Sequence, residues 1–262
     1  NRTSGKAEQW AAQHPGSAGT SIAGTVSGAD FVFTCVGADP DLKEIFTGPE
    51  GIIENASPGA VLVDHTTASA GIAEHLAELA GENRLGFVDA PVSGGQQGAE
   101  KGQLTIMCGG DDQAFAKAKP LMEHYSKALN LMGPVGSGQK TKMVNQIAIA
   151  GLVQGLSEAL HFAEQAELDV AKVVDVISKG AAQSWQMENR GATMLAGEYN
   201  HGFAVNWMRK DLAICLDEAR KSGASLPVAA LVDQFYGDVQ ATGGGRWDTS
   251  SLLERLRRGR RG

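Results

Sequence analysis

The distribution of apolar and polar residues divides the chain into two halves with different secondary structure. In the first half, short apolar runs alternate with segments of helical periodicity, which predicts strands separated by helices. The predicted strands are 31–36, 60–64, 85–90, 104–108 and 127–132, and the predicted helices are 4–13, 40–46, 68–80 and 111–124. Strands rich in Val, Ile and Phe that alternate with helices indicate a mostly parallel sheet covered on both faces.

The second half carries almost no strand signal after Gly138. Its periodicity predicts helices at 142–166, 170–178, 185–195, 207–221, 228–241 and 250–257. We therefore predict an α/β domain of the Rossmann type over residues 1–137 and an all-helical domain over residues 138–262. The first helix of the second half can start at Gln139 and would then be about 40 Å long, enough to connect the two domains.

The composition is that of a globular protein with an acidic balance. Of the 262 residues, 42% are hydrophobic and 20% charged, and 23 basic against 30 acidic side chains give a net charge of −7. This charge argues against a nucleic-acid or membrane-surface partner. The three cysteines lie far apart in apolar runs and no Cys/His cluster occurs, so we predict no metal site and no disulfide framework. Reduced thiols buried in this way, with no apolar run of about 18 residues, lead us to expect a cytoplasmic protein.

The segment from Gly133 to Gln146 is the strongest candidate for chemistry. Its glycines precede a helix that carries Lys142, Asn145 and Gln146. Positions i, i+3 and i+4 share one helix face, so these side chains form a cluster of one cation and two amides. A lysine can exchange a proton, amides can orient an oxygen atom, and the small Gly138 would let a flat ring approach the backbone. The alternative is a glycine-rich turn before an ordinary helix with a solvated lysine.

The start of the chain lacks the usual opening of a nucleotide-binding domain. Such a domain begins with a strand, a glycine-rich turn and a helix, but no GxGxxG occurs, and the chain begins with Asn1, Arg2 and Thr3. If these residues follow a second strand, they occupy the position that reads the ribose. Arg and Thr beside an Asn would there favour a 2′-phosphate over a free hydroxyl. The alternative is a frayed terminus.

Several separated motifs resemble those of the β-hydroxyacid dehydrogenase family, which includes 3-hydroxyisobutyrate dehydrogenases and the reductases of tartronate semialdehyde, glyoxylate and succinic semialdehyde. The motifs are Asp89-Ala-Pro-Val-Ser-Gly-Gly95, then Gly133-x-x-Gly136-x-Gly138-x-x-x-Lys142-x-x-Asn145, then Lys210-Asp211. The resemblance covers essentially the whole chain. The family's first strand, glycine loop and first helix, roughly thirty residues, are absent, so the α/β domain is expected to be truncated at its first β-α unit.

The resemblance implies a NAD(P)-dependent oxidoreductase that moves a hydride between the cofactor and a small 3-hydroxy acid or its semialdehyde. Lys142 would donate or accept the proton, and Asn145, with Gln146 nearby, would orient the substrate. Backbone N–H groups and the hydroxyl of Ser93, Gly94 and Gly95 would hold the substrate carboxylate. The positions that match the cofactor side of the family are Asn1, Arg2, Thr3, Val36, Gly37, Thr67 and Lys210, of which Lys210 also matches a position near the substrate.

The resemblance also implies NADP as cofactor, with NAD as the alternative, and a homo-oligomer, either a dimer or a tetramer. Two other functions remain open. An imine reductase shares the architecture but usually lacks the lysine, and a non-catalytic nucleotide-binding or oligomerising module would also have lost it. A 6-phosphogluconate dehydrogenase would need a larger helical domain and more basic residues for its phosphate.

Some of the same residues have simpler structural interpretations. Thr67 could cap the following helix, and Lys210 could be a surface lysine on an amphipathic helix. Asp64 and Asp89 are expected to brace strand ends rather than catalyse. The aromatic residues interpreted as core residues are Trp185, Phe203 and Trp207, although Trp207 precedes Lys210 by one helical turn and could line a pocket.

We predict that the enzyme prefers NADPH to NADH, because Arg2 can pair with a 2′-phosphate and no carboxylate occupies position 1. A charge-assisted hydrogen bond contributes about 1.5–3 kcal/mol, or roughly tenfold to a hundredfold in affinity. Steady-state KM values for both cofactors, in the parent and in Arg2→Ala, measure this preference. Equal KM values in the parent, or an unchanged preference in Arg2→Ala, would contradict the assignment.

We also expect the 262-residue chain by itself to bind NADPH weakly and to associate through an uncovered edge strand. A Rossmann domain holds the pyrophosphate with amides of its first turn and first helix, and the chain lacks that segment. Titration calorimetry with NADPH tests this expectation, and a micromolar dissociation constant would show it to be wrong.

Overall fold

The computed structural model describes residues 3–259. Two compact units, Asn1–Lys142 and Met143–Gly262, make up the chain. The cofactor-binding roles assigned to Asn1 and Arg2 lie outside the described residues, and Thr3 directly precedes the first helix.

The first unit contains six strands and a set of helices between them. The strands are β1 Phe31–Thr34, β2 Val61–Asp64, β3 Gly86–Asp89, β4 Val92–Ser93, β5 Leu104–Gly110 and β6 Ser126–Leu131. The helices are α1 Ser4–Gln13, α2 Ile22–Val26, α3 Asp39–Thr47, α4 Ile52–Asn55, α5 Ala70–Glu82, α6 Gly95–Glu100 and α7 Asp112–Met122, followed by a 3₁₀ turn at Glu123–Tyr125. The predicted alternation of strands and helices is confirmed, while α2, α4, β4 and α6 are additional short elements.

The sheet is mixed rather than uniformly parallel. Strands β1, β2 and β3 run parallel, with Phe31 opposite Val61 and Val61 opposite Gly86. Strand β5 runs antiparallel to β3 and to β4, and β6 runs parallel to β5. Strand β4 and helix α6 lie between β3 and β5, and β4 pairs with β5 in the antiparallel sense.

Strand β2 lies in the middle of the core, and all four of its residues are buried. Leu62 belongs to the apolar cluster that contains Leu42 and Phe46 of α3. Its neighbours Val61 and Val63 belong to the cluster on the opposite side, with members from α7 and β5. Successive side chains of a strand point to opposite faces, so apolar residues cover both faces of the sheet, as the continuous apolar run of this strand predicted.

The second unit is helical in its described part. Helix α8, Ser137–Gln165, carries the chain into this unit, and it is followed by α9 Val170–Ile177, α10 Trp185–Ala196, α11 Val205–Ser222, α12 Pro227–Ala241, a 3₁₀ turn at Thr249–Ser251 and α13 Leu252–Arg258. The core combines apolar residues of α8, α11 and α12, among them Val153, Leu212 and Tyr236. The prediction of a Rossmann-like α/β domain followed by an all-helical domain is confirmed.

Two interpretations of apolar residues are wrong. Trp185, Phe203 and Trp207 are 46%, 38% and 43% exposed and are not core residues. Trp185 is the first residue of α10, and Trp207 lies in the first turn of α11, where both aromatic side chains extend away from the helix packing. Cys35 is also exposed, whereas Cys108 and Cys215 are buried, because β1 has ended before residue 35.

The start of α8 is attached to the sheet through Asp89, at the end of β3. The Asp89 side chain is fully buried, and its two oxygens accept hydrogen bonds from the Gly136 and Gln139 N–H groups, each at 2.8 Å. Gly138 lies between these donors, where a Cβ atom would come within 2.4 Å of the Met107 carbonyl oxygen and 2.6 Å of that of Asp89. Gly138 is therefore needed for close packing of backbone on backbone, which differs from the predicted approach of a flat ring.

We predict that Gly138→Ala destabilises the protein by about 1–3 kcal/mol or more, because the new methyl group meets backbone atoms that cannot move aside. Gly71→Ala is the matched control. Gly71 is likewise the second residue of its helix, α5, but a Cβ atom added to it would have no neighbour within 4 Å. Replacing that glycine should stabilise the helix by up to about 1 kcal/mol. Urea unfolding of both variants measures the two effects, and equal shifts in the same direction would contradict the packing argument.

Candidate active site

The loops after β1 and β2 are joined by a buried polar cluster. Asp64 Oδ1 accepts hydrogen bonds from Thr34 Oγ1 at 2.8 Å and from Thr66 Oγ1 at 2.6 Å. Thr66 Oγ1 in turn accepts one from the Val36 N–H at 2.9 Å. Asp64 therefore braces the strand ends, as predicted, and it fixes the backbone of two loops whose residues Val36 and Gly37 are partly buried.

Helix α5 begins later than predicted, and this excludes one structural role for Thr67. The helix starts at Ala70, and its N-cap is Ser69, whose hydroxyl accepts a hydrogen bond from the Ile72 N–H at 3.1 Å. Asp39 accepts two further hydrogen bonds from Ser69, one from its N–H at 2.9 Å and one from its hydroxyl at 2.5 Å. The alternative that Thr67 caps the helix is therefore wrong.

Gln139 connects the first turn of α8 to the loop after β2. Its side chain is 0% exposed; Oε1 accepts a hydrogen bond from the Ala68 N–H at 3.0 Å, and Nε2 donates one to the Thr66 carbonyl oxygen at 2.7 Å. Gln139 was not among the residues predicted from the sequence. Its signal was its position three residues before Lys142, on the same helix face.

Burial raises the pKa of Asp89 to about 7, although the Gly136 and Gln139 amides act in the opposite direction by stabilising the carboxylate. In the unfolded chain the ordinary value for this carboxyl group is 3.8. The folded state therefore binds a proton more readily than the unfolded chain between these two pH values. The contribution of Asp89 to stability consequently decreases as the pH rises through this window.

His65 is a second structural feature at the end of β2. Its Nδ1 lies 2.6 Å from the Ala90 carbonyl oxygen and its Nε2 lies 2.9 Å from Tyr125 Oη. Burial lowers the pKa of His65 and raises that of Tyr125 to about 12. A neutral imidazole then donates a hydrogen bond from Nδ1 to the Ala90 carbonyl oxygen, and its Nε2 accepts a hydrogen bond from the Tyr125 hydroxyl. His65 therefore ties the end of β2 to the chain after β3.

Lys142 lies on α8 one turn beyond Gln139. Its side chain is only 6% exposed, whereas Lys140, two residues earlier, is half exposed and pairs with Glu74 at 3.2 Å. The alternative of a solvated lysine at position 142 is therefore wrong. Lysine is rarely buried to this extent in proteins.

The residues that follow Lys142 along α8 are joined to α11. Asn145 Nδ2 donates to Gln146 Oε1 at 2.8 Å, and Gln146 Nε2 donates to Asp211 Oδ2 at 2.6 Å. Lys210 Nζ lies 2.9 Å from Asp211 Oδ1. The structure thus brings together three residues predicted from the sequence, Asn145, Gln146 and Lys210, through the carboxylate of Asp211. The sequence motif contained Asp211, but it was assigned no role of its own.

Ser93, Gly94 and Gly95 form the junction between β4 and α6. Gly94 has a φ of 126° and Gly95 a φ of 60°, both in the region that side chains disfavour. Both glycines are exposed, and no atom lies within 4 Å of the position of a Cβ at Gly95. The backbone at Gly95 therefore borders open space.

Three carboxylates at the carboxyl ends of β1 and β2 are held by hydrogen bonds within the protein. Asp39, Asp41 and Asp64 lie at this edge, and each accepts hydrogen bonds from protein groups: Asp39 from Ser69, Asp41 from the Ala38 N–H at 3.0 Å, and Asp64 from Thr34 and Thr66. Open α/β sheets bind nucleotides at this edge, where Val36, Gly37 and Thr67 lie.

Other kinds of site are not found in the described residues. Within 3–259, no three His, Cys, Asp or Glu side chains are grouped so that they could hold a metal ion. Every helix in the same range is too short or too polar to cross a lipid bilayer.

Comparison with known proteins agrees with this architecture. The family model for the NAD binding domain of 6-phosphogluconate dehydrogenase matches residues 1–133, and the model for the NAD-binding domain of NADP-dependent 3-hydroxyisobutyrate dehydrogenase matches residues 136–256. An uncharacterized oxidoreductase of Shewanella frigidimarina is 58% identical over 99% of this chain and 89% of its own. The 2-hydroxy-3-oxopropionate reductase of Escherichia coli is 34% identical over 87% of this chain and 78% of its own.

Among solved structures, 3-hydroxyisobutyrate dehydrogenase from Salmonella typhimurium superimposes with a TM-score of 0.86 and 25% identity, over 97% of this chain and 89% of its own. The two family models together span nearly the whole sequence. The chain therefore belongs to the β-hydroxyacid dehydrogenase family of NAD(P)-dependent oxidoreductases.

Proposed function

We propose that this protein interconverts a small 3-hydroxy acid and its semialdehyde, with Lys142 as the proton donor and acceptor. The observation that carries the proposal is the burial of Lys142 on the helix face that continues into Asn145. Lysine is rarely buried to this extent in proteins. In the family motif, this position carries the lysine that exchanges the proton with the substrate.

Each predicted residue has a separate task in this reaction. The amides of Gly94 and Gly95, with the Ser93 hydroxyl, hold the substrate carboxylate. When bound, the nicotinamide cofactor supplies the hydride for reduction and takes it up in oxidation. Lys142 Nζ gives a proton to the carbonyl oxygen as the alcohol forms, and it removes that proton in the reverse direction. Asn145 holds the substrate oxygen in place through its side-chain amide.

The identity of the substrate and the cofactor rests on chemistry and on similarity. The E. coli relative is named for 2-hydroxy-3-oxopropionate, which carries both an aldehyde and a carboxylate, and the proposed tasks need both groups. NADP is the proposed cofactor, with Val36, Gly37 and Thr67 on its side of the sheet. Arg2 and Thr3 would contact the 2′-phosphate, and Lys210 is proposed to lie near the nicotinamide.

A homo-oligomer is the proposed form of the protein. Large apolar side chains of the second unit are more than half exposed, namely Val144, Phe162, Leu168, Val176, Val228 and Leu231. Exposed apolar surface of this kind commonly marks an interface between proteins. The helical unit is therefore the proposed site of contact between copies.

We predict that removing the ammonium group of Lys142 lowers kcat about 10²–10⁴-fold, the usual contribution of general acid–base catalysis. Lys142→Ala tests this directly, and Lys142→Met preserves the apolar packing of the long side chain. NADPH affinity should change little in either variant. Turnover with 2-hydroxy-3-oxopropionate, succinic semialdehyde and glyoxylate is followed by NADPH oxidation.

Lys140→Ala is the matched control, because Lys140 lies on the same helix but is half exposed and pairs with Glu74. It should retain the parent kcat. A Lys142 variant with more than about a third of the parent turnover would remove this lysine from the chemistry, since even a weak general acid contributes more. Reduction of cyclic imines without activity on the semialdehydes would favour the imine reductase alternative.

A further inference from the structure

Four polar side chains of the second unit form a chain of contacts that ends at Asn145: an ion pair joins Lys210 to Asp211, and hydrogen bonds join Asp211, Gln146 and Asn145. Asp211 lies at its centre and is 2% exposed. It meets Lys210 Nζ at 2.9 Å on one oxygen and Gln146 Nε2 at 2.6 Å on the other. Gln146 Oε1 then accepts a hydrogen bond from Asn145 Nδ2 at 2.8 Å. We propose that Asp211 and Gln146 are positioning residues that fix the orientation of the Asn145 amide.

The carboxylate of Asp211 determines the orientation of Gln146. An ionised carboxylate can only accept hydrogen bonds, so Gln146 must turn its NH₂ group towards it. The same NH₂ group lies 3.7 Å from the sulfur of Met208, a second weak acceptor. A flipped amide would place Oε1 against the carboxylate and the sulfur, leaving a buried acceptor without a donor, which is unfavourable.

The orientation of Gln146 then determines that of Asn145. Oε1 of Gln146 can only accept, so Asn145 must donate one N–H of its amide to it. The Asn145 side chain is partly exposed. Its Oδ1 and its second N–H therefore remain for a ligand in a fixed arrangement. This inference rests on the proposed function, in which Asn145 binds the substrate, and it adds a role for Asp211 and Gln146 that acts through the Asn145 amide.

The test first replaces the hydrogen-bond donor of Gln146 with an acceptor, and a second substitution then restores a donor opposite it. In Gln146→Glu, two carboxylates face each other, so the chain loses the donor that held it together. We expect kcat/KM for the semialdehyde to fall by about tenfold to a hundredfold, the effect of one lost or opposed hydrogen bond. The KM for NADPH should stay unchanged, because the displaced group is the Asn145 amide, which is proposed to bind the substrate and not the cofactor.

Adding Asp211→Asn to Gln146→Glu restores the alternation of donors and acceptors. The NH₂ group of the new asparagine can donate to the new glutamate, its oxygen can accept from Lys210, and the net charge equals that of the parent. Asn145 again meets an oriented acceptor. We expect the double variant to recover to within about threefold of the parent kcat/KM, as a coupled pair should.

Gln154→Glu is the matched control on the same helix. Gln154 is 7% exposed, and its Nε2 donates to the Glu158 carboxylate at 2.6 Å, so the exchange also places two carboxylates together. It should lower the unfolding midpoint while leaving kcat/KM at the parent value. This separates the loss of stability from the loss of orientation.

The proposal is overturned if Gln146→Glu keeps the parent kcat/KM, if the double variant stays at the level of the single one, or if Gln154→Glu loses as much activity. If Gln146→Glu does not fold, Gln146→Leu replaces it. That side chain offers Asn145 no acceptor, and a parent-like kcat/KM in it would equally refute the proposal. Failure of the proposed function is a different result, namely turnover retained in Lys142→Met.

Discussion

The hydrogen bonds from the Gly136 and Gln139 amides to Asp89 set the orientation of the first turns of α8. The first amides of a helix have no partner within it, and a buried carboxylate is favoured there by the helix dipole. Because successive residues of a helix are related by a constant rotation, fixing the first turn also fixes the direction of Lys142, one turn further on. A rotation by one residue, about 100°, would turn Lys142 away from its face.

The polar face of α8, to which the reaction is assigned in our proposal, is stabilised by specific polar partners. Gln139 and Gln146 are both buried, and each has a donor on one side and an acceptor on the other. Burying an amide costs free energy unless both ends are satisfied, and only one orientation satisfies both. The helix therefore gains orientational specificity where an apolar face would only gain packing.

The sequence was sufficient for the fold and for the helix face, but not for the partners of that face. Periodicity placed Lys142, Asn145 and Gln146 on one side of a long helix. Asp64 and Asp89 were correctly expected to brace the ends of their strands. The partners lie far away along the chain: 73 residues separate Gln139 from Thr66 and 65 separate Gln146 from Asp211. The spacing of polar residues shows which face of a helix is polar, whereas tertiary packing determines which residues that face contacts. The sequence predicted a mostly parallel sheet, and its pattern of apolar residues gave no sign of the antiparallel pairing of β5 with β3 and β4.

The glycines of the family motifs are required for different physical reasons, so a motif glycine can have more than one structural meaning. Gly94 and Gly95 need positive φ, and the space beside Gly95 is open, so a ligand can approach them. Gly138 instead lies against the backbone of Met107 and Asp89, where a side chain does not fit. A motif glycine near the lysine proposed to exchange the proton is thus not by itself a sign of ligand contact. In this chain its effect on Lys142 is indirect, since it lets α8 approach the sheet closely enough for Asp89 to hold the helix.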